Sequence, residues 1–565
     1  MCFLLNVVLS ARSLHVDSPP HKPSLTTSYV HGTSTFPLLP LTVGQSLDNT
    51  VQRWPDLHGQ ASAGLPAGWH PENLCTVSAR CVDKVAAGLL ALGLKRGDQL
   101  GVWEHNIYEW ILFQFASAKA GIILVSLNPA YQVKEVEFTL NKVQCKAVVC
   151  PTHFKTQKFC EMLREICPEI DLTPAGMVKS SRVPDLRMVI VTDSRQPGML
   201  HVEDVMQAGE SRHHKELMDL QSKLSFDDPI NIQFTSVAFT VWKLIVGIYF
   251  HQPQVRVCVP VPMYHCFGSV LGGMSMHNAL SLTAMYFYSR CNIVYGTPTM
   301  FTDLLSQPEL HKYDLSSIEA GIMGGSSCPP EIVRKLRTDM NMKEIMVSGT
   351  TENSPITFLG FPQDNEELKI NTVGCIMSHT EAKVVDPTTG EIVPLGTSGE
   401  LMIRGSCVMH GYWADPEKTG EVISQDRWYR TGDTASLNSL GYCRIEGRIK
   451  DMIIRGGENI YPAEIEQFLY THPKVQELEV VGVKDERLGE QVCACIRLKE
   501  GHISSTEEIR AFCKGQISHF KIPHYVIFVD SYPLTTPSRP AHSLGRHFSQ
   551  WPGSNGPQSP QETLL

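Results

Sequence analysis

The chain is short of several things, and each shortage excludes a class of protein. No apolar run reaches the roughly 18–20 residues that a membrane-spanning helix needs. Val237 to Phe250 comes nearest, and Lys243 interrupts it. There is no excess of positive charge. A formal net charge of −9 and the lack of any polybasic cluster argue against a nucleic-acid ligand or an anionic membrane surface. The 17 cysteines are odd in number and scattered, with no C-x-x-C pair, so reduced thiols are expected rather than a disulfide framework or a zinc site. Cys493 and Cys495 alternate along a strand-like run and read as structural. No Walker pattern, no G-x-G-x-x-G and no internal repeat is present.

What is there is a chain of 565 residues with 42% hydrophobic content, enough for a large core and more than one domain. Residues 1–41 are rich in Pro, Ser and Thr and read as leader or linker. Their apolar first twenty residues carry one Arg and one Asp, compatible with a signal or transit segment. A first helix is expected over Thr42–Trp54, before a Gly, Ala and Pro-rich stretch. Short apolar strands at Leu100–Val102, Ile122–Ser126 and Ala147–Val149 alternate with helical spacing at Cys81–Leu94, Glu109–Ala120 and Lys134–Lys142. That alternation predicts a parallel sheet. Asn231–Thr235, Met300–Leu305, Pro330–Arg337 and Glu344–Val347 continue it. Glu381–Val385 and Glu400–Ile403 read as antiparallel strands of a smaller, barrel-like piece. Past Lys450 the pattern becomes a compact α/β unit: helices at Ala463–Thr471 and Thr506–Lys514, strands at Leu478–Val483, Val492–Arg497 and Tyr525–Val529. From residue 536 the composition cannot bury much and reads as a disordered tail.

Tyr429 to Glu466 carries the most chemistry. It opens YRTGD, with Asp433 ending a polar turn after Trp428 and Tyr429, and reaches GRIKDMIIRGGENIYPAEIE. A carboxylate such as Asp433 can accept both hydroxyls of a ribose. Arg448 can bond the same sugar or a phosphate bidentately. Lys450 and Asp451 form a polar hinge before an apolar strand. Gly456 and Gly457 permit a positive φ or a close approach of ligand to backbone. In this order, with GIILVSLNPAYQ at 121–132, DPINIQFTS at 228–236, VYGTPTMF at 294–301 and GTTENSP at 349–355, these features resemble the adenylate-forming superfamily, the acyl-CoA synthetases among them. The resemblance runs from about Gly97 to Leu534.

The resemblance implies an α/β fold with a large N-terminal domain over 42–447. A small mobile α/β C-terminal domain, 448–535, would swing on Lys450. It implies ATP-dependent ligation of a fatty acid, plausibly medium-chain, to CoA through an acyl-adenylate, with ATP, CoA and Mg²⁺, in the mitochondrion, with a cytoplasmic setting as the alternative. The partners implied are those small molecules; nothing in the sequence sets an oligomeric state. By position, Asp433 and Arg448 would hold the ribose, Thr351 a phosphate and Glu352 the Mg²⁺. Gly324 and Gly325 would line the space between nucleotide and acyl group, Gly457 would lie against pantetheine, and His265, in PMYHCFGS, would gate the acyl pocket.

Several stretches depart from the family pattern. Ser348 stands where an aromatic ring would stack on adenine, a contact worth about 1–3 kcal/mol where it is made. After FTS at 234–236, where the family has a Gly, Ser and Thr-rich phosphate loop with a lysine, the chain reads VAFTVWKLIVGIYFHQPQVR. That stretch has one glycine and no hydroxyl cluster to form an anion nest. The stretch from about Gly272 to Cys291 is shorter than its counterpart. After YPLTT at 532–536, Arg539 takes by count the place of the family's catalytic lysine, and Pro540 follows it. A retained ribose motif with an altered phosphate loop leaves a second reading open: an impaired homologue that binds AMP or acyl-CoA without ligating them.

Overall fold

The computed structural model describes residues 24–34, 37–53, 74–234, 239–242, 257–274, 283–284, 291–324, 330–342, 344–347, 349–354, 356–360, 364–455, 458–485, 487–532, 534–536 and 539–540. Its first sheet has eight strands. In spatial order they are Gly411–Tyr412, Phe239–Trp242, Asn231–Phe234, Ile123–Ser126, Gln99–Val102, Ala147–Cys150, Met188–Val191 and Leu200–His201. From Asn231–Phe234 onward the pairing is parallel. The middle strands, such as AVVC and MVIV, are buried on both faces, as parallel strands covered on both sides must be. Phe239–Trp242 turns back antiparallel on Asn231–Phe234.

A second, all-parallel sheet runs Thr283–Ala284, Val257–Cys258, Ile293–Gly296, Ala320–Met323, Glu344–Val347. The helix Tyr108–Lys119 shares one apolar cluster with residues of both sheets, which is why it is buried almost all round rather than along one stripe. The helix Val43–Arg53 begins at a reciprocal cap. Thr42 Oγ1 accepts from Gln45 N at 3.2 Å and Gln45 Oε1 accepts from Thr42 N at 2.9 Å.

The third sheet is antiparallel, in the order Tyr29–His31, Thr380–Val385, Gly399–Gly405, Tyr429–Leu437, Cys443–Arg448. Its edge strand lies within the stretch expected to be leader. Val30 is buried there and the Tyr29 hydroxyl donates to Glu381 at 2.6 Å. After the turn Ile449–Asp451 a separate sheet forms from Ile453–Arg455, Glu458–Ile460, Val475–Asp485, Gly489–Leu498 and Tyr525–Phe528. The helices Pro462–Leu469 and Thr506–Cys513 supply residues to its own core. Cys493 and Cys495 are buried beside Tyr532 in a small apolar cluster, with no disulfide. Among the described residues no helix is long and apolar enough to cross a membrane.

Candidate functional site

Asp433 and Arg448 face each other because the hairpin register makes them opposite. The Asn438 side chain accepts the N–H groups of Leu440 and Tyr442 at 2.9 and 3.0 Å, which sets the turn. The ladder beyond it then pairs Asp433 with Arg448 directly. Opposite residues project to one face, so the carboxylate and guanidinium meet, Arg448 Nε to Asp433 Oδ1 at 2.8 Å. A second guanidinium nitrogen donates to the Thr431 carbonyl at 3.0 Å. On its other side the same strand is irregular. Glu400 pairs with Thr434 and Met402 with Arg430, so Leu401 alone opposes Thr431, Gly432 and Asp433. Gly432 absorbs this bulge at φ 69°, and the bulge turns the Asp433 side chain inward. The Thr431 hydroxyl then accepts from the Asp433 N–H at 3.0 Å.

That inward turn has an electrostatic consequence. The Asp433 side chain is 12% exposed. Burial pushes its carboxyl up to about 6; the Arg448 charge opposes this, and the Glu352 charge adds to it. Burial also works against the Arg448 charge, but Asp433, Tyr429 and Glu352 together leave the guanidinium more firmly protonated than usual.

Glu352 comes from another part of the chain. It sits on the turn Thr351–Asn353, just past the carboxyl end of the strand Glu344–Val347. The turn is strapped to the segment 405–412. Met409 N donates to the Glu352 carbonyl at 2.9 Å, Ser354 Oγ to the Cys407 carbonyl at 2.7 Å, and the Tyr412 hydroxyl to Glu352 Oε1 at 3.4 Å. Burial, with the Glu352 charge second, pushes the Tyr412 and Tyr429 phenols above their ordinary value. Glu352 thus bears electrostatically on Asp433, Arg448, Tyr412 and Tyr429 at once, and its carboxylate accepts from the Tyr412 hydroxyl.

Thr351 joins this group to a third segment. Its hydroxyl lies 3.4 Å from the Cys266 sulfur, which lies 3.5 Å from His265 Nδ1. The His265–Cys266 turn opens the π-helical stretch Phe267–Met274 and is anchored to the first sheet. Ser269 Oγ accepts from Gln233 at 2.8 Å, and its carbonyl accepts from Gln114 at 3.1 Å.

Three separated stretches therefore bring His265, Thr351, Glu352, Asp433 and Arg448 together. Gly324 ends the strand Ala320–Met323 at the carboxyl edge of the second sheet, the edge from which the Thr351 turn also emerges, and its N–H donates to the Gly296 carbonyl at 3.3 Å. Lys450 is exposed on the turn Ile449–Asp451. Arg539 pairs with Thr536 on a two-stranded ladder, and its side chain lies outside the described residues. Gly325, Gly457, Ser348 and Lys243 also lie outside them. Tyr412 and Cys266 were not singled out from the sequence. No local pattern marks either one, because each touches its partner across 60 and 85 residues of chain.

Among the described residues no group of three or more His, Cys, Asp or Glu side chains converges on a point that could hold a metal. A single carboxylate such as Glu352 is nevertheless a fit for Mg²⁺, which is commonly held by one or two carboxylates with nucleotide phosphates completing the shell.

Comparison with known proteins identifies the family. Residues 78–413 match the AMP-binding enzyme family and residues 464–538 match the AMP-binding enzyme C-terminal domain. The mitochondrial medium-chain acyl-CoA ligase ACSF2 of Danio rerio is 58% identical over 555 residues, covering 93% of this chain and 91% of that protein. Its counterpart in Homo sapiens is 48% identical over 543 residues, covering 90% and 87%. A putative acyl-CoA synthetase of Bacillus subtilis, YngI, is 36% identical over 530 residues, covering 88% and 95%. The fold is also that of the anthranilate CoA ligase AuaEII in complex with anthranoyl-AMP, with a TM-score of 0.75, 20% identity and coverage of 91% and 98%. ATP-bound MatB from Rhodopseudomonas palustris has a TM-score of 0.72 at 23% identity, with coverage of 90% and 99%. With a large AMP-binding domain followed by a small C-terminal domain, this chain belongs to the AMP-binding, adenylate-forming enzyme family.

Proposed function

We propose that the chain ligates a medium-chain fatty acid to CoA at the expense of ATP. The observation that carries this reading is the convergence of Asp433, Arg448, Glu352, Thr351 and His265 from three stretches of sequence. The names of relatives at 48–58% identity supply the substrate class, and nothing in the comparisons favours the non-ligating alternative.

In the first step a fatty-acid carboxylate oxygen attacks the α-phosphorus of ATP, an acyl-adenylate forms and pyrophosphate leaves. In the second, the CoA sulfur attacks the acyl carbon, a thioester forms and AMP leaves. Arg448 holds one oxygen of Asp433, which leaves the other to accept from the ribose. Thr351 donates its hydroxyl to a phosphate oxygen. Glu352, steered by Tyr412, would hold Mg²⁺, which when bound offsets phosphate charge. His265 borders the acyl group, and Gly324 with Gly325 separates it from the nucleotide. The small domain, 448–535 after a large domain at 42–447, turns on Lys450 and presents Gly457 to pantetheine. By count alone, Arg539 falls at the position of the family's carboxylate-binding lysine. The names of the relatives also support a mitochondrial setting.

The test is pyrophosphate release by the full-length chain with octanoate and Mg²⁺, with and without CoA. Release that needs octanoate, with octanoyl-CoA appearing only when CoA is present, is the expected result. A cooperatively melting sample that releases no pyrophosphate would overturn the reading and point to the altered stretch after Ser236.

A further inference from the structure

Cys266 has no part in the reading above, yet it touches both halves of the site. Its sulfur lies 3.4 Å from the Thr351 hydroxyl and 3.5 Å from His265 Nδ1, and the residue is 1% exposed. The Phe267 N–H donates to the same Nδ1 at 3.3 Å. In a neutral ring that nitrogen therefore carries no proton, and Nε2 carries it. Between Cys266 and His265 only the thiol can donate. Between Cys266 and Thr351 either group can. A thiol has one proton and serves one of these neighbours at a time.

We propose that Cys266 is a positioning residue for Thr351, a single donor that turns from His265 to Thr351 when a nucleotide phosphate arrives. This deepens the ligase reading and rests on its placement of Thr351 against a phosphate. When Thr351 donates into the sulfur, only its lone pairs face an incoming phosphate oxygen, and they repel it. When the thiol donates to Thr351 Oγ1, the threonine O–H is released to the phosphate. The two bonds then run head to tail, S–H to O–H to phosphate oxygen, and each polarises the next. No proton leaves its atom; two rotors turn. The same turn withdraws the thiol from His265, so the nucleotide side and the acyl side share one donor. Both ends are held for this. The Met409 N–H fixes the Thr351–Asn353 turn, and Gln233 and Gln114 fix the His265 turn through Ser269.

The experiment compares the full-length protein with Cys266→Ala, Cys266→Val, Cys266→Ser, Thr351→Val and the Cys266→Ala/Thr351→Val double variant. It reads kcat and KM for ATP from octanoate-dependent pyrophosphate release, AMP affinity by calorimetry, and the melting curve. One neutral hydrogen bond corresponds to about 3- to 10-fold in binding. Cys266→Ala is expected to raise the KM for ATP and the Kd for AMP by that factor with the melting curve kept. Cys266→Val, which fills the volume without a donor, is expected to match it. Cys266→Ser keeps a donor and is expected to recover most of the affinity. In the Thr351→Val background, Cys266→Ala is expected to add nothing. Three results would overturn the proposal: an alanine variant within twofold of wild type, a serine variant as weak as alanine, or additive losses in the double variant. A wild type that releases no pyrophosphate sinks the ligase reading alone, because AMP binding still reads the cycle. A wild type that neither releases pyrophosphate nor binds AMP sinks both.

Discussion

Asp433→Asn is the substitution in which charge, burial and function pull hardest against one another. The carboxyl of Asp433 is pushed from 3.8 up to about 6 by burial, in spite of the Arg448 guanidinium 2.8 Å away. At about 1.4 kcal/mol per pKa unit, keeping it ionised in the folded protein costs on the order of 3 kcal/mol. The sign follows from the raised value. Its favourable contribution is complete below the unfolded value, near 4, and is lost as pH rises through about 6, because in that window the folded state keeps a proton that the unfolded state has released. Asn carries no such cost, so Asp433→Asn is expected to unfold later than wild type at pH 7.5, with the advantage vanishing toward pH 4.

Activity should move the other way. A carboxylate can accept from two ribose hydroxyls, whereas Asn has one acceptor oxygen and turns an NH₂ toward Arg448. Losing one or two charge-assisted bonds, at about 1.5–3 kcal/mol each, predicts kcat/KM for ATP lower by roughly 10-fold or more. In the wild type kcat/KM for ATP should fall below about pH 6, since that ratio reports the free enzyme. In the variant that limb should be absent. The assay is initial-rate pyrophosphate release from pH 5 to 8.5, with melting curves at each pH. A wild-type profile flat through pH 6, or an Asn variant within twofold of wild type at pH 7.5, would refute the ribose assignment.

Lys119 is 2% exposed and bridges Asp48 and Asp83 at 2.6 Å each. Lys119→Met should destabilise by about 1–3 kcal/mol in urea unfolding, less than for a fully buried pair because both aspartates are about 40% exposed and can be solvated again. A Cβ on Gly88 would lie 1.8 Å from the Val205 carbonyl oxygen, so Gly88→Ala must push the helix Leu74–Ala91 off Val202–Ala208. It should cost about 3 kcal/mol or more, seen as an early melting transition. Lys450→Pro stiffens the turn between the two domains. Pyrophosphate release should persist while octanoyl-CoA formation slows, and equal loss of both would remove the hinge assignment.

Much of the fold was legible because its strands are buried on both faces. Runs such as AVVC and MVIV need no partner to be recognised, and the helices between them follow from spacing. Asp433 and Arg448 were legible for a different reason. They lie on adjacent strands of one hairpin, so sequence distance and spatial distance agree. The edge strand Tyr29–His31 was not legible, because what makes it a strand is Thr380–Val385, far along the chain. Lys119 was not legible either, because Asp48 and Asp83, which it bridges, lie 71 and 36 residues away in the chain.

Local patterns of burial and turn chemistry were enough to give the family and the α/β fold class, since those patterns need no distant partner. Only the tertiary structure decided which groups share a field. It set Tyr412 on Glu352, put Glu352 and Asp433 in one electrostatic field, and set Cys266 between His265 and Thr351. Those pairings depend on long chain closures, and no local pattern records which distant side chain a closure will bring into contact.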